Sequence, residues 1–84
     1  MVSSVHDPKY KIFCRLIVDC RQRQGITQTQ LAEKLQRPQS FVSKYENGER
    51  RIDLIEFIEI ADALGIDSLK FIREFQEVIA EKNT

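Results

Sequence analysis

Apolar residues recur along this chain with the spacing of one helix face, and no segment alternates apolar and polar residues for long enough to be a strand. The first apolar stripe follows the positions i, i+1, i+4, i+5 and i+8 and comprises Ile12, Phe13, Leu16, Ile17 and Cys20. Pro8 suits the first turn of this helix, and Gly25, followed by Ile26, suits its end. The pattern predicts an all-α protein.

Start and stop signals then mark a short second helix and a third. Thr27 and Gln30 have the spacing of a capping box, in which each side chain accepts a hydrogen bond from the other residue's backbone. Pro38 begins the third helix, which runs to about Asn47 and is ended by Gly48. The inward positions predicted for these two helices are Leu31, Ala32, Leu35, Phe41 or Val42, Tyr45 and Glu46.

The same start and stop signals predict a fourth and a fifth helix. Asp53 and Glu56 repeat the capping spacing with carboxylates, and Gly65-Ile66-Asp67 repeats the stop and restart seen at Gly25. The fifth helix is expected over about 68–81. The inward positions predicted for the fourth helix are Leu54, Ile55, Ile58, Ala61 and Leu64. Residues 1–84 are therefore expected to form one domain, a compact five-helix bundle.

Composition excludes several classes of function. A chain of 84 residues has little room for a deep cleft, and it contains no Gly-rich phosphate loop or nucleophile motif, so we expect neither an enzyme nor a cofactor. Two Cys and one His are too few for a metal site, so no metal is expected.

The cysteines and the N-terminus indicate the cellular compartment of the protein. Cys14 and Cys20 would lie about 9 Å apart along one helix, too far for a disulfide, which favours two buried reduced thiols. Residues 1–7 lack the pattern of a secretory signal, and no apolar run approaches the roughly 18 residues of a membrane span. We expect a cytoplasmic protein without a membrane partner.

The net charge of zero conceals an uneven distribution. Residues 1–51 contain ten Lys and Arg against five Asp and Glu, whereas residues 52–84 contain three against eight. The two parts therefore carry net charges of +5 and −5. This asymmetry predicts one surface for a polyanion and a second surface for another purpose.

Taken together, the motifs resemble the helix-turn-helix domains of lambdoid phage repressors and Cro, the Xre-type regulators, over about residues 11–72. The residues that carry the resemblance are Arg21-x3-Gly25-Ile26-Thr27-Gln28-x2-Leu31-Ala32-x2-Leu35, then Val42-x2-Tyr45-Glu46-Asn47-Gly48, then Ile60-Ala61-x2-Leu64-Gly65-Ile66. This chain departs from the family at Gln36, where Gly is frequent, and at Ile52, where Pro is frequent. The turn at Gln36 is thus expected to use either a strained non-glycine residue or another geometry.

The resemblance implies a transcriptional regulator that binds double-stranded DNA with its third helix in the major groove. Gln39 suits adenine and Lys44 suits guanine, while a serine suits either base. The base contacts so implied are Gln39, Ser40, Ser43 and Lys44; the alternative is that these are ordinary polar residues on a solvated helix. The backbone contacts implied are Gln28, Asn47, Arg50 and Arg51, with Arg23 and Arg37 as weaker candidates whose alternative is simple solvation. For Gln28 the alternative is a capping role at the start of the second helix. Arg21 and Glu46 are implied to form a structural ion pair, with a phosphate contact by Arg21 as the alternative.

Apolar residues in the last two helices exceed one inward stripe and predict a second surface. The residues predicted for a homodimer interface are Phe57, Ile60, Phe71, Phe75, Val78 and Ile79. The alternative is that the C-terminal helix folds back on its own domain. A two-fold dimer would bind a near-palindromic operator. A different function remains open, namely a helical protein-interaction module such as an antitoxin whose main partner is a toxin protein.

Overall fold

The computed structural model describes residues 7–82, which form five helices and no strand. The helices are α1 (Pro8–Arg23), α2 (Gln28–Leu35), α3 (Gln39–Glu46), α4 (Leu54–Leu64) and α5 (Ser68–Lys82). The all-α prediction is confirmed. The predicted domain of residues 1–84 and the N-terminal stretch examined for a signal extend beyond the described residues at 1–6 and 83–84. Within residues 7–82, no helix is long and apolar enough to cross a membrane.

The helix boundaries follow the predicted signals. Gly25 has φ +70°, and the N–H of Ile26 donates to the Arg21 carbonyl at 3.3 Å, which closes α1 with a left-handed glycine. The capping box at Thr27 is complete, because its hydroxyl accepts from the Gln30 N–H at 3.0 Å and the Gln30 side chain accepts from the Thr27 N–H at 2.9 Å. The same reciprocal pair of hydrogen bonds starts α4 at Asp53.

The turn between α2 and α3 contains the one non-glycine residue of positive φ among residues 7–82. Gln36 has φ +57°, a left-handed conformation that costs a non-glycine residue roughly 1–2 kcal/mol. The N–H of Arg37 donates to the Ala32 carbonyl at 3.0 Å, so the turn still closes α2. Pro38 follows in extended backbone and leads directly into α3. Of the two geometries expected at Gln36, the structure has the strained one.

The core lies where α1, α4 and α5 enclose the inner faces of α2 and α3. The half-buried Phe13 packs against this core, and its ring lies 5.6–5.8 Å from the rings of Tyr10, Phe57, Phe71 and Phe75. Three of these pairs have the edge-to-face geometry that aromatic rings prefer. The buried core cluster comprises Ile17, Leu31, Ala32, Phe41, Val42, Tyr45, Phe57, Ile60, Leu64 and Phe71.

The inward face predicted for α4 is wrong in part. Ala61 and Leu64 are buried as predicted, but Leu54 and Ile55 are each 64% exposed and Ile58 is 40% exposed. The core instead receives Phe57 and Ile60. Apolar residues surround most of this helix, so periodicity alone does not choose a face. Packing chooses it, because the Phe57 ring meets those of Phe13 and Phe71.

Three of the six residues predicted for the dimer interface are buried in the core of their own chain. Phe57 and Ile60 on α4 and Phe71 on α5 are at most 6% exposed. The C-terminal helix folds back far enough for Phe71 to pack on Phe13 and Phe57. The remaining predicted interface residues are half-buried along α5, namely Phe75, Val78 and Ile79.

Candidate nucleic-acid interface

The outer face of α3 carries the four predicted base-contact residues. Gln39, Ser40 and Lys44 are exposed, and Ser43 is half-buried between them. The opposite face of the same helix is in the core, with Phe41, Val42 and Tyr45 buried. Because a helix turns 100° per residue, this division leaves one continuous polar face directed away from the protein.

An ion pair fixes α3 to α1, as the resemblance implied. The Nε of Arg21 donates to Oε2 of Glu46 at 2.7 Å, and its Nη2 donates to Oε1 at 2.9 Å. Its Nη1 donates to the Ile26 carbonyl at 2.7 Å. The two side chains are only 10% and 4% exposed. The hydrogen bond to the Glu46 carboxylate raises the pKa of the Arg21 guanidinium, so this guanidinium stays charged.

Two glutamines extend this pair to the exposed surface. Nε2 of Gln28 donates to Oε1 of Glu46 at 2.9 Å, and Oε1 of Gln28 accepts from Nε2 of Gln39 at 2.6 Å. Since an ionised carboxylate only accepts, Glu46 turns the NH2 of Gln28 toward itself and leaves the Gln28 oxygen for Gln39. The amide of Gln39 is thereby oriented, with its own oxygen and one N–H free. We name Arg21, Gln28, Gln39 and Glu46 the first flank of α3.

The last turn of α3 and the loop that follows it are held against α1 by Cys14 and Tyr10, in roles that the sequence did not predict. The hydroxyl of Tyr10 donates to the Arg50 carbonyl at 2.9 Å and accepts from the Ile52 N–H at 3.1 Å. Burial raises the pKa of Tyr10 to about 12, which keeps the hydroxyl protonated. The thiol of Cys14 donates to the Tyr45 carbonyl at 3.2 Å. The chain that leaves α3 therefore has a fixed path.

The thiols are both free, and their environments differ. Cys14 is buried and Cys20 is half-buried. Burial is the main cause that raises the pKa of each thiol, which keeps both in the less reactive protonated form.

The predicted backbone contacts are not all on one surface. Asn47 is exposed at the end of α3, where its amide donates to Ser43 Oγ at 3.5 Å and to Glu49 at 3.4 Å. Arg51 is exposed, with its guanidinium 5.3 Å from the Tyr10 ring. Arg23 is paired with Asp19 at 2.8 Å, on the last turns of α1.

Arg23 lies apart from the other predicted backbone contacts. It lines a shallow groove of about 370 Å³ together with Lys70, Phe71 and other residues of α1 and α5. No residue of α3 lines this groove. The structure therefore groups Arg23 with α5 and not with the predicted base-contact face.

Arg50, also predicted to contact the DNA backbone, belongs to a second charged cluster. Its Nη1 and Nη2 donate to Oε1 and Oε2 of Glu56 at 3.1 and 3.0 Å. Arg37 approaches the same carboxylate at 3.5 Å. Both guanidinium carbons lie over the Phe41 ring, at 4.5 Å for Arg37 and 4.8 Å for Arg50. We name Arg37, Phe41, Arg50 and Glu56 the second flank of α3.

The capping role predicted for Glu56 is present. Its Oε1 accepts from the Asp53 N–H at 2.9 Å. Its carboxylate also faces two arginines, and Arg50 is the main cause that lowers the pKa of Glu56. The one sequence signal for this cluster was an acidic capping residue shortly after the Arg50-Arg51 pair.

The comparisons with known proteins agree with this geometry. A helix-turn-helix family model matches residues 17–71. An XRE-family like protein from Pseudomonas syringae pv. tomato str. DC3000 is 40% identical, with a TM-score of 0.83 over 89% of this chain and 92% of that one. No curated protein matches the chain in sequence.

Restriction-modification controller structures have the same fold at lower identity. The wild-type protein C.Esp1396I is 20% identical, with a TM-score of 0.82 over 90% of this chain and 99% of that one. The tetramer of C.Esp1396I in complex with its natural 35 base-pair operator is 19% identical, with a TM-score of 0.78 over 86% of this chain and 95% of that one. The family model and the 40% identical relative from Pseudomonas show that this chain belongs to the XRE family of helix-turn-helix DNA-binding regulators.

Proposed function

We propose that this protein regulates transcription by reading a specific sequence of double-stranded DNA with the outer face of α3. The observation that carries the proposal is the first flank, which presents Gln39 at the protein surface in a fixed orientation. A glutamine that is merely solvated needs no such support. The free oxygen and N–H of Gln39 match N6 and N7 of adenine.

Lys44 and the two serines complete the base-reading face. Lys44 is exposed at the other edge of that face and suits O6 and N7 of guanine. Ser40 and Ser43 lie between Gln39 and Lys44 and have short side chains that let the helix approach the bases. Replacing Lys44 by Ala should relax the preference at one base pair in each half-site; an equal loss on all sequences would assign Lys44 to a phosphate instead.

The DNA backbone is held from the ends of α2 and α3. Gln28 is in the first turn of α2, where free backbone N–H groups and the helix dipole favour a phosphate. Asn47 and Arg51 are exposed beyond the last turn of α3. Contacts of this kind fix the register of the protein on the duplex without reading its sequence.

We further propose a homodimer, with an interface that differs from the predicted one. Leu54, Ile55 and Ile58 form an exposed apolar face on the first turns of α4, a feature that monomeric proteins generally avoid. A second copy of this face would cover it in a two-fold arrangement. The tetramer of C.Esp1396I on its operator shows that a protein of this fold can bind DNA as an oligomer. Two recognition helices spaced by about 34 Å would match a near-palindromic operator.

The test is selection of the purified protein on random-sequence DNA. An enriched motif of two inverted half-sites, about one helical turn apart, is the expected result. Sedimentation of Ile55→Asp should then show a monomer that retains the fold by circular dichroism. A dimer that survives this substitution would contradict the α4 interface. As the regulator acts on DNA, we expect it in the cytoplasm with the genome.

The exposed apolar face also favours a second candidate function, a helical protein-interaction module such as an antitoxin. In that case Leu54 and its neighbours would bind a different protein, and the outer face of α3 would be dispensable. Selection that enriches no sequence, with a protein partner whose binding Ile55→Asp abolishes, is the outcome that this candidate predicts.

A further inference from the structure

The exposed face of α3 has a charged cluster along each of its two edges. Gln39 and Glu46 are seven residues apart, and seven residues make almost two full helical turns, so both lie on the edge of the first flank. Phe41 and Lys44 are three residues apart and lie on the other edge, beside the second flank. Ser40 and Ser43 fall between the two edges.

The second flank joins both ends of α3 to α4. Arg37 precedes α3 and Arg50 follows it, yet both side chains converge on the carboxylate of Glu56, at 3.5 and 3.0 Å. Nη2 of Arg37 also lies 3.7 Å from Glu59. The ring of Phe41 supports both guanidinium groups from the side of the core. Two arginines that are 13 residues apart in the chain thereby share one location.

Both arginines retain the capacity to bind a further anion. Their side chains are 37% and 41% exposed, whereas that of Glu56 is 11% exposed. A guanidinium has five N–H donors, and the contacts with glutamate use two donors of Arg50 and weaker, longer contacts of Arg37. The carboxylate is thus the covered part of the cluster, and the cations are the accessible part.

The dimensions of the DNA duplex place a phosphate backbone beside these two arginines. The major groove is about 12 Å wide and an α-helix with its side chains is about 10–12 Å across, so a helix in the groove has a phosphate backbone on each side. The first flank approaches one of these backbones through Gln28. The second flank is on the opposite edge, and two of the predicted backbone contacts belong to it, namely Arg50 and the weaker candidate Arg37.

We propose that Glu56 is a positioning residue that gathers the two predicted backbone contacts Arg37 and Arg50 into a single phosphate site for the second DNA strand. This inference rests on the proposed function, since it assumes that α3 occupies the major groove. Glu56 makes no contact with DNA in this arrangement. It acts by fixing the direction of two flexible side chains before the duplex arrives.

The first experiment measures how the affinity for the selected operator falls with salt. Each phosphate contact contributes about 0.9 to the slope of log affinity against log salt, so Arg37→Gln/Arg50→Gln should reduce the slope by about 1.8. The matched control is Arg73→Gln/Lys82→Gln, which removes the same charge from α5 and should leave the slope nearly unchanged. The slope describes the complex, so a smaller folded fraction does not alter it. A slope equal to that of the control overturns the phosphate site.

The second experiment separates positioning by Glu56 from a simple effect of its charge. Glu56→Gln removes a negative charge, which by itself would strengthen binding to all DNA. Positioning predicts instead that the affinities for operator and random DNA both fall, about 5- to 10-fold, and that the salt slope decreases, because the displaced arginines contact phosphates on either DNA. Partial unfolding would also lower both affinities but would leave the salt slope unchanged. A rise of both affinities, or an unchanged salt slope, overturns the role of Glu56.

A double-variant cycle and the wild-type protein complete the test. In the Arg37→Gln/Arg50→Gln background, Glu56→Gln should cause no further decrease in the salt slope; a full decrease there would show that Glu56 does not act through these arginines. Failure of the wild-type protein to enrich any sequence would overturn the proposed function together with this inference. An enriched operator that the arginine variant binds with an unchanged slope would overturn this inference alone.

Discussion

The two flanks of α3 use the same chemistry in different surroundings. In the first flank, the carboxylate belongs to α3 itself, and the pair of Arg21 with Glu46 is almost completely covered. In the second flank, the carboxylate of Glu56 comes from α4, and the arginines are more than one-third exposed. A covered pair fixes the helix and the glutamine amides, whereas a half-exposed pair leaves cations for a ligand. The degree of burial therefore separates a structural role from a binding role.

The largest effect expected from this difference concerns stability. Glu46→Gln leaves the covered Arg21 without its charged partner, and breaking a buried pair in this way should cost about 3 kcal/mol of unfolding free energy. Glu56→Gln should cost about 1 kcal/mol, because its partners remain partly solvated. Urea denaturation of the two variants and the wild type provides the comparison. Equal costs would show that burial does not distinguish the flanks.

A smaller effect should isolate the part of the first flank that serves binding. Gln28→Ala severs the link between Glu46 and Gln39, so Gln39 loses its fixed orientation. Operator affinity should fall about 10-fold, near 1.4 kcal/mol, with the preference for one base pair relaxed and thermal stability almost unchanged. Thr29→Ala, at the next and exposed position of α2, is the matched control. Selectivity retained in Gln28→Ala would mean that the hydrogen bond to Gln39 does not orient it for base reading.

The second flank depends on the loop that Tyr10 holds, which a pair of tyrosine variants can test. Tyr10→Phe loses two hydrogen bonds and leaves the Ile52 N–H unpaired, so it should cost about 1–2 kcal/mol and weaken operator binding through Arg50. The hydroxyl of Tyr45 is buried and has no hydrogen-bond partner among residues 7–82. Tyr45→Phe should therefore be neutral or slightly stabilising in thermal unfolding. A larger cost for Tyr45→Phe than for Tyr10→Phe would contradict this assignment.

The sequence was a better guide to helix boundaries and to the first flank than to the rest. Each boundary has a local cause, such as Gly25 or the capping box at Thr27, and local causes can be read from adjacent residues. The first flank follows from residues in the family pattern. The inward face of α4 depended on which apolar side chains fit around Phe13, and this is decided by tertiary packing. The apolar residues of α4 lie on most sides of the helix: Leu54, Ile55, Phe57, Ile58, Ile60, Ala61, Ala63 and Leu64.

The second flank was missed for a related reason. Arg37, Phe41, Arg50 and Glu56 come from two loops and two helices, and no fixed spacing connects them. The capping spacing accounts for Glu56 in the sequence, so its contacts with the two arginines leave no separate signal there. Only the folded arrangement of α3, α4 and the two loops brings the four side chains together.

The smallest expected effect is the pH dependence of the second flank. Arg50 lowers the pKa of Glu56 below the value of about 4.3 found in unfolded chains. The stabilisation by this carboxylate is thus complete above about pH 4.3 and disappears as the pH falls through the lower pKa of the folded state. The difference in unfolding free energy between the wild type and Glu56→Gln, about 1 kcal/mol at pH 7, should shrink toward zero at lower pH. Urea titrations in steps from pH 7 to acid measure it, and in an Arg50→Gln background the difference should be smaller at every pH. A difference that stays constant into acid would show that the ionised carboxylate contributes nothing, and that the second flank is held by the Phe41 ring instead.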